Sequence, residues 1–419
     1  MTLLRICPPE EIDQVRTAPL DPDTLAKAGD IVDEVRERGV RAMRDFAERF
    51  GDLDPGQKAI VGRADLQAAL DRLPADRRAV LERTAERIET FARAQREALT
   101  DLQLPIPGGT VGHRVIPVDR AGCYAPGGRF PLPSSVLMTA ISARAAGVRE
   151  VFVASPNPTD ETLAAAAIAG ADGLLQVGGA QAVAAMAFGL EGLLPPCDVI
   201  VGPGNKWVTA AKHVVSAHVR IDMLAGPSEL VVLADATANP EIVAADLLAQ
   251  AEHDTDALPI LITTDAALLP RVEAELARQL ETLTTAETAR EALKNGFALI
   301  ADDLDAAVAL CDRIAPEHLE VLTADALDVA QRLRHFGGLF IGEAAAEVLG
   351  DYGAGPNHTL PTGGTARAQS GLSVFHFLKI STWMHIDDPT AAAGLVSDAE
   401  ALGEMEGLEG HAKSAALRR

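Results

Sequence analysis

The sequence predicts an α/β fold built from two doubly wound parallel sheets, and three observations support this prediction. Apolar residues make up 48% of the 419 positions and charged residues 23%, a composition typical of a globular chain. Aromatic residues account for 4%, so aliphatic side chains must fill the core, as they do in parallel sheets covered by helices. Short apolar runs also alternate with helical stretches, as β-α-β units require. At about 150 residues per domain, this length allows two to three domains.

The first hundred residues have a helical pattern that is rich in charge. Segments 23–51 and 75–100 carry apolar residues three and four positions apart, with Arg and Glu between them. We expect this region to form a helical flank. Beyond Gly109, short β-rich runs lead to a stretch rich in Gly and Pro at 122–128, for which we predict a loop.

Eight brief apolar runs follow, and each is a candidate strand. Their starts lie roughly 20 to 40 residues apart, as a parallel crossover through a helix requires. The eight runs are residues 151–154, 174–177, 199–201, 230–234, 259–262, 297–300, 319–322 and 338–341. Eight units can close into a barrel or form two sheets, and the Gly-rich loops with a changed spacing near Pro227 favour two sheets. After Thr362 the pattern predicts short helices and then a charged tail at 398–419.

The charge balance and the cysteines exclude several classes of protein. With 37 Lys and Arg against 60 Asp and Glu, the net charge is -23, so we predict no nucleic-acid partner and no anionic membrane surface. Asp172 and the pair Gly178-Gly179 interrupt the apolar segment 164–190, so we predict no membrane span there. The four cysteines are far apart and the N-terminus lacks the pattern of a signal peptide, so we expect a cytoplasmic location.

Two glycine-containing turns follow candidate strands and open helices. In Gly202-Pro-Gly-Asn205 the glycines allow a ligand close to the backbone, and the helix N-terminus offers N–H groups to an anion such as a pyrophosphate. Trp207 stands where the dinucleotide fingerprint has its third glycine, so an ordinary turn is the alternative. In the similar Gly178-Gly-Ala-Gln181, Gln181 can present its amide to a ligand or cap the helix.

Four side chains together suggest a metal site. Gln250 and His253 lie three residues apart in a predicted helix and so share one face, where they could grip one metal ion. Asp351 opens a loop framed by Gly and Pro, and His411 lies in the tail. Each residue alone could be a solvated or structural group. As a set, they offer nitrogen and oxygen ligands suited to zinc or a similar divalent ion.

The pair Glu317 and His318 suggests acid–base chemistry. His318 has an intrinsic pKa near neutrality and could take a proton from a hydroxyl, while Glu317 could activate water or orient the imidazole. Neighbouring side chains of a strand point to opposite faces, so both reach one site only if the segment turns. Pro316 favours such a turn. The alternative is the start of a strand with a surface Glu and a core His.

Around these residues, from about 21 to 411, the chain resembles the histidinol dehydrogenase family. The resemblance rests on several long motifs that occur together in order. They are Tyr124-Ala-Pro-Gly-Gly128, Pro133-Ser-Ser-Val-Leu-Met138, Gly178-Gly-Ala-Gln-Ala182, Gly202-Pro-Gly-Asn205, Ile221-Asp-Met-Leu-Ala-Gly-Pro-Ser-Glu229, Gln250-Ala-Glu-His253, Pro316-Glu-His-Leu-Glu320, Gly355-Pro-Asn-His-Thr-Leu-Pro-Thr362 and His411.

The resemblance implies two incomplete Rossmann-like doubly wound domains, one inserted in the other, in a homodimer with shared active sites. A helical N-terminal arm and a small C-terminal helical tail would be exchanged between the subunits. The implied boundaries are an arm at 1–20, a first domain with the zinc and catalytic residues at 21–123 and 230–372, an inserted domain with the NAD contacts at 124–229, and a tail at 373–419.

The resemblance also implies a reaction, the four-electron oxidation of L-histidinol to L-histidine through an aldehyde held by the enzyme, in the last steps of histidine biosynthesis. His318 would be the base for the alcohol oxidation, and Glu317 would activate water for the second oxidation. The implied zinc ligands are Gln250, His253, Asp351 and, from the other subunit, His411. The implied substrate contacts are Ser228, Gln250, His253, His318, Asp351, Glu406 and His411. The implied NAD contacts are Tyr124, Gln181 and Asn205.

Other functions remain open at this point. A related enzyme could use the same scaffold to oxidise another small polar alcohol with NAD. A zinc hydrolase could use the same metal ligands, with Glu317 directing water and no nucleotide. A metabolite-binding protein could bind histidinol without turnover. NADH formation separates the first of these from the other two.

Overall fold

The computed structural model describes residues 3–12, 20–127 and 131–418, and it confirms the α/β fold. Its strands form two sheets of six and one sheet of three. Parts of the predicted N-terminal arm and Gly128 of the predicted loop lie outside the described residues. The strands are β1 Arg5–Ile6, β2 Ile60–Gly62, β3 Leu102–Ile106, β4 Gly109–Pro117, β5 Arg120–Tyr124, β6 Glu150–Ala154, β7 Gly173–Leu175, β8 Val199–Val201, β9 Arg220–Ile221, β10 Glu229–Ala234, β11 Leu258–Thr263, β12 Phe297–Ile300, β13 His318–Leu322, β14 Gly338–Ile341 and β15 Leu378–Ile386.

Helices connect and cover these strands. Several begin with a side-chain cap, as in the first helix, where Asp21 accepts from the N–H of Thr24 at 2.8 Å. The helices are α1 Pro22–Arg38, α2 Val40–Phe50, α3 Arg63–Arg72, α4 Ala75–Glu97, α5 Pro133–Ala146, α6 Asp160–Ile168, α7 Gly179–Phe188, α8 Lys206–Val215, α9 Pro240–Ala251, α10 Leu268–Leu280, α11 Ala286–Ala292, α12 Leu304–Ile314, α13 Ala326–Ala330, α14 Glu347–Asp351, α15 Ala393–Met405 and α16 Glu409–Ala416.

The first sheet has the order β1-β12-β11-β10-β13-β14, and all its neighbouring strands are parallel. From β10 the chain moves outward through β11 and β12, then crosses to β13 and β14 on the other side. This is the doubly wound order, and its direction reverses between β10 and β13. Leu230 and Val232 join the core on one face of the sheet, while Val231 and Leu233 join the core on the other. Helices therefore cover both faces.

The second sheet has the order β2-β7-β6-β5-β8-β9. Its strands are parallel except for β2, which runs antiparallel to β7. The direction of winding reverses between β5 and β8. All six strands lie in the chain between β1 and β10, so the second sheet interrupts the first along the sequence.

The observed sheets differ from the predicted division of residues 21–123. Strand β2 and all of the central strand β5 except its last residue fall in that range, and both strands belong to the second sheet. Helix α1 packs against α7 and α8, and its residues Ala28 and Val32 share a buried cluster with Ala184 and Ala211 of those helices. The apolar faces of the N-terminal helices therefore cover the second sheet, so this segment lies with the part predicted to be inserted.

All eight candidate strands are confirmed, but two local predictions are wrong. The loop predicted at 122–128 begins as strand β5, because Gly122 allows Met186 and Cys197 to pack closely against the strand rather than making a turn there. The region after Thr362 contains the strand β15, where only helices and a tail were predicted. Its partner β4 lies more than 250 residues earlier, so the local pattern does not show the pairing.

The C-terminal helices α15 and α16 pack mainly against each other. These helices and the residues that flank α16 expose the apolar side chains Leu395, Leu402, Met405, Leu408 and Leu417. The four cysteines are buried and unpaired. Among the described residues, no helix combines the length and the apolar character that crossing a membrane requires.

Candidate active site

Glu317 and His318 lie side by side at the start of β13, on the amino-terminal edge of the first sheet. Both are buried. Helix α12 ends at Ile314, and Ala315 adopts a left-handed φ of 50° that redirects the chain. Glu317 precedes the strand and His318 is its first residue, so strand alternation does not separate their side chains. The structure brings Glu317 Oε2 within 3.7 Å of His318 Nδ1.

The backbone of Glu229, the first residue of β10, holds both side chains. Its N–H donates to Glu317 Oε2 at 3.0 Å. Its carbonyl oxygen lies 3.1 Å from His318 Nδ1. Because a carbonyl can only accept, Nδ1 carries the proton and Nε2 is the free nitrogen of the neutral ring.

Burial sets the proton affinities of this pair. It lowers the pKa of His318 to about 4, so the imidazole is neutral near neutral pH. Burial raises the pKa of Glu317 well above that of an exposed glutamate. The Nε2 atom of His318 is buried and has no hydrogen-bond partner within the described part of the chain. The pair therefore offers a vacant proton acceptor beside a carboxylate of increased basicity.

A cluster of metal-ligand side chains lies beside His318. One ligand atom from each of His253, Glu347 and Asp351 lies within 4.8 Å of the others. His253 Nε2 is 3.3 Å from Asp351 Oδ2, and His318 Nε2 is 3.9 Å from Asp351 Oδ1. His253 Nδ1 lies 2.9 Å from the carbonyl oxygen of Ala249 and donates to it, which leaves Nε2 to bind a metal.

Electrostatics within the cluster favour opposite charges on His253 and Asp351. Burial opposes the charged form of His253, but the hydrogen bond with Asp351 and the charge of Glu347 outweigh it and raise its pKa to about 9. Burial opposes the charged form of Asp351 too, but the hydrogen bond with His253 lowers its pKa. Burial and the charge of Asp351 raise the pKa of Glu347. A cation at this place would satisfy the carboxylates directly.

Gln250 supports a metal at this place. The helix α9 ends at Ala251 and His253 lies in the turn that follows, so the predicted shared helix face is wrong. Gln250 is fully buried, and in the described residues neither its Oε1 nor its Nε2 has a hydrogen-bond partner. A buried polar group without a partner costs about 1–3 kcal/mol. An oxygen ligand, an imidazole and a carboxylate fit the donor set that zinc takes.

The three predicted nucleotide contacts lie at the carboxyl edge of the second sheet. Tyr124 ends β5, and its hydroxyl accepts from the N–H of Gly179 at 3.2 Å. Gln181 lies in the first turn of α7 and donates from Nε2 to Asp52 at 3.0 Å. Asn205 caps α8 by accepting from two N–H groups of its first turn. This edge, where the winding reverses between β5 and β8, is where doubly wound sheets bind ligands.

The two predicted tail residues are not brought to this site by their own chain. Glu406 follows α15 and His411 lies on α16, and both are exposed. Among the described residues, neither forms a hydrogen bond or ion pair with His253 or Asp351. The structure therefore brings His253 and Asp351 of the predicted metal ligands into contact, and His411 of the same chain does not reach them.

Comparison with known proteins identifies the family. The sequence model of the family described as histidinol dehydrogenase matches residues 16–419. The chain belongs to the histidinol dehydrogenase family. A histidinol dehydrogenase from Thermus thermophilus is 46% identical over 400 residues, which cover 95% of either chain. Another, from Pseudomonas aeruginosa, is 45% identical over 396 residues, which cover 93% of this chain and 89% of the relative.

A solved structure agrees with this assignment. The crystal structure of histidinol dehydrogenase from Elizabethkingia anophelis matches with a TM-score of 0.93 at 31% identity and covers 100% of this chain and 98% of that one. Membership of the histidinol dehydrogenase family makes this protein an oxidoreductase enzyme.

Sequence interpretation missed two residues of the candidate site, Glu347 and Glu229. Glu347 lies four positions before Asp351, and this spacing places both carboxylates on one face of α14, a signal that was available. Glu229 follows Ser228 in a recognised motif, but its contribution to the catalytic pair comes from its backbone. A backbone contact of this kind has no signature in residue type.

Proposed function

We propose that this enzyme oxidises L-histidinol to L-histidine in the last steps of histidine biosynthesis, using zinc and NAD and retaining the intermediate aldehyde. The observation that carries the proposal is the environment of His318. Its Nε2 is a buried acceptor without a partner in the described residues, 3.9 Å from Asp351, while Glu317 lies 3.7 Å from the other ring nitrogen. A base and a water-activating group thus lie next to a cluster of side chains that could hold a metal ion.

Gln250, His253 and Asp351 would hold zinc together with His411 of the partner subunit. Bound there, zinc would polarise the hydroxyl of the substrate and lower its pKa. The same residues would contact histidinol, together with Ser228, His318 and Glu406. Tyr124, Gln181 and Asn205 would contact NAD, which would accept a hydride in each oxidation. Helix N-termini and amides at that edge suit an anionic ligand in a protein of net charge -23.

His318 and Glu317 divide the proton transfers between them. In the first oxidation Nε2 of His318 takes the hydroxyl proton, while Nδ1 keeps its hydrogen bond to Glu229. In the second oxidation Glu317 takes a proton from the water that adds to the aldehyde. Because the backbone N–H and carbonyl of one residue, Glu229, orient the two side chains, the two oxidations use one site without rearrangement of these residues. Burial of both groups keeps bulk water from the aldehyde.

The proposal includes a cytoplasmic homodimer with shared active sites. The exposed apolar side chains of α15 and α16 support an exchange of the tail 373–419, since isolated apolar patches of this kind are typical of interfaces. The arm at 1–20 would take part in the same exchange. The four unpaired cysteines suit a reducing compartment.

The proposed domains follow the two large sheets. Residues 230–372 would form the domain with the zinc and catalytic residues, and 124–229 the inserted domain with the NAD contacts. Strand β5, strand β2 and helices α1 and α2 join the inserted domain, because they pair or pack with its sheet.

Counting NADH tests the proposed function. Purified protein supplied with zinc, excess NAD and a known amount of histidinol should form two NADH per histidinol, and amino-acid analysis should detect histidine. One NADH per substrate would indicate a simple alcohol dehydrogenase. A much higher kcat/KM with another small polar alcohol would indicate a related enzyme of different specificity. No NADH would contradict the proposal and favour the zinc hydrolase.

A further inference from the structure

Lys212 and Asp222 form an ion pair in the interior of the protein. Their side chains are 3% and 0% exposed, and Lys212 Nζ contacts Asp222 Oδ1. Lys212 lies on α8. Asp222 begins the segment 222–228, which connects β9 of the second sheet to β10 of the first and which we call the linker. The proposed function gives neither residue a role.

The ion pair binds both backbone polar groups of Gly202. Asp222 Oδ2 accepts from the N–H of Gly202 at 2.7 Å, and Lys212 Nζ donates to its carbonyl oxygen at 3.0 Å. Gly202 has a φ of 118°, and a Cβ there would clash with the carbonyl oxygen of Tyr124. The pair therefore fixes a turn, residues 202–205, whose first position only glycine accommodates and which packs against the end of β5 and opens α8.

The linker is also tied at its other end. Thr209 Oγ1, on α8, donates to the carbonyl oxygen of Ala225 at 2.9 Å. The N–H of Gly226 donates to Thr362 Oγ1 at 2.6 Å. The linker then leads to Glu229, whose backbone binds Glu317 and His318. One short segment thus connects the nucleotide edge of the second sheet to the catalytic pair of the first.

We propose that Lys212 and Asp222 are positioning residues. They hold the turn 202–205 and the linker 222–228 in a fixed relative position, so that NAD and histidinol bind in the orientation that hydride transfer requires. The inference rests on the proposed function, which assigns the turn to NAD and the linker to the substrate. Burying two charges is costly, and a buried pair adds little net stability compared with apolar side chains. The pair instead fixes how the turn 202–205 and the linker lie relative to each other, because it binds both the N–H and the carbonyl oxygen of Gly202.

The test uses three variants and three measurements. Lys212→Met removes the ion pair, while Thr209→Val removes only the tie between α8 and the linker. Arg144→Met is the matched control. Arg144 forms an ion pair with Asp172, which precedes β7 at the amino-terminal edge of the second sheet, away from the turn 202–205. Isothermal titration gives the dissociation constant of NAD, steady-state kinetics give KM and kcat for histidinol, and calorimetry gives the unfolding temperature.

We expect Lys212→Met to raise both the NAD dissociation constant and the histidinol KM by about tenfold or more, since small displacements of reacting groups are costly. Thr209→Val should raise the histidinol KM and leave the NAD dissociation constant unchanged. Thr209→Ser keeps the hydroxyl and should therefore have the histidinol KM of the wild-type protein. Arg144→Met should lower the unfolding temperature without moving either ligand constant.

The proposal is overturned if the Lys212→Met variant folds and its NAD dissociation constant and histidinol KM both stay within about twofold of the wild-type values. A change in only one of the two would also overturn it. If Lys212→Met does not fold, the Thr209 variants decide, and an unchanged histidinol KM in Thr209→Val rejects the positioning role. Failure of the wild-type protein to bind NAD or form NADH contradicts the proposed function itself, so the two failures are distinguishable.

Discussion

The Nδ1 atom of His318 and the carbonyl oxygen of Glu229 lie 3.1 Å apart. The N–H of the same Glu229 binds Glu317, so one residue of β10 orients the two side chains proposed to be catalytic. Strands β10 and β13 are parallel neighbours with Leu230 opposite His318, and their ladder fixes this relationship. Replacing one catalytic side chain should therefore leave the other in place, and the two half-reactions can be separated by mutation.

Glu317→Gln should separate the second oxidation from the first. Glutamine keeps an acceptor oxygen for the N–H of Glu229, but it cannot take a proton from water. We expect aldehyde formation to persist and aldehyde oxidation to slow by about a hundredfold or more. NADH per histidinol, measured by absorbance, should fall from two towards one. The exposed Glu281→Gln serves as the control, and equal loss of both steps would reject the division of roles.

His318→Asn should produce the opposite pattern. The asparagine amide can still donate to the carbonyl oxygen of Glu229, but it supplies no base in place of Nε2. Alcohol oxidation should slow by about a hundredfold to ten-thousandfold. Oxidation of added histidinaldehyde should be affected much less, because it depends on Glu317. Normal alcohol oxidation by this variant, in single-turnover measurements, would show that another group takes the proton.

Gln250→Leu should weaken zinc binding without destabilising the metal-free fold. The buried amide has no partner within the described residues, so an apolar side chain of similar size removes a polar group that costs about 1–3 kcal/mol. We expect the zinc dissociation constant, measured by competition with a chelator, to rise at least about tenfold. The unfolding temperature of the metal-free protein should stay level or rise. The exposed Gln331→Leu is the control, and a large loss of metal-free stability would contradict this account.

Mixed dimers test the exchange of the tail. His253→Ala and His411→Ala chains should each be inactive alone, because each damages every zinc site. After denaturation and refolding together in equal amounts, half of the dimers should hold one intact site of two, which restores about a quarter of wild-type activity. No recovery from a mixture whose mixed dimers are verified by mass spectrometry would show that each chain completes its own site.

Glu320 and Asp246 predict a pH dependence of stability. Burial raises the pKa of Glu320 to about 8 and that of Asp246 to about 6. Unfolding returns the pKa of both groups to ordinary values. At a pH between the ordinary and the raised pKa, the folded protein therefore binds more protons than the unfolded chain. The contribution of this pair to stability is therefore present in acid and is lost as pH rises towards about 8.

Glu320→Gln should remove much of that loss. Glutamine keeps the acceptor for the N–H of Glu347, which Glu320 now binds at 2.7 Å, and it cannot ionise. The unfolding temperature of the variant should rise relative to wild type as pH increases, by a few degrees across the window. Calorimetry at several pH values measures this, with the exposed Glu48→Gln as control. If the unfolding temperature of the variant differs from that of wild type by the same amount at every pH, ionisation of Glu320 does not cause the loss of stability.

The strands of the two large sheets could be predicted from sequence because their signal is local. Strands β10, β11 and β12 are nearly continuous apolar runs, since helices bury both faces of the sheet. Strand β15 escaped prediction because most of its residues are exposed and its partner β4 lies far away in the chain. Gly122 misled the prediction because the same residue type serves both turns and close packing.

The sequence by itself determined the α/β class, the family resemblance and the residue types of the site, since these depend on local pattern and on long contiguous motifs. Only the tertiary structure decided that Glu347 joins His253 and Asp351, that Nε2 of His318 is the free nitrogen, and that α1 and α2 cover the second sheet. Those outcomes depend on contacts between residues distant in the chain and on backbone hydrogen bonds. Neither has a signature in the order of side chains.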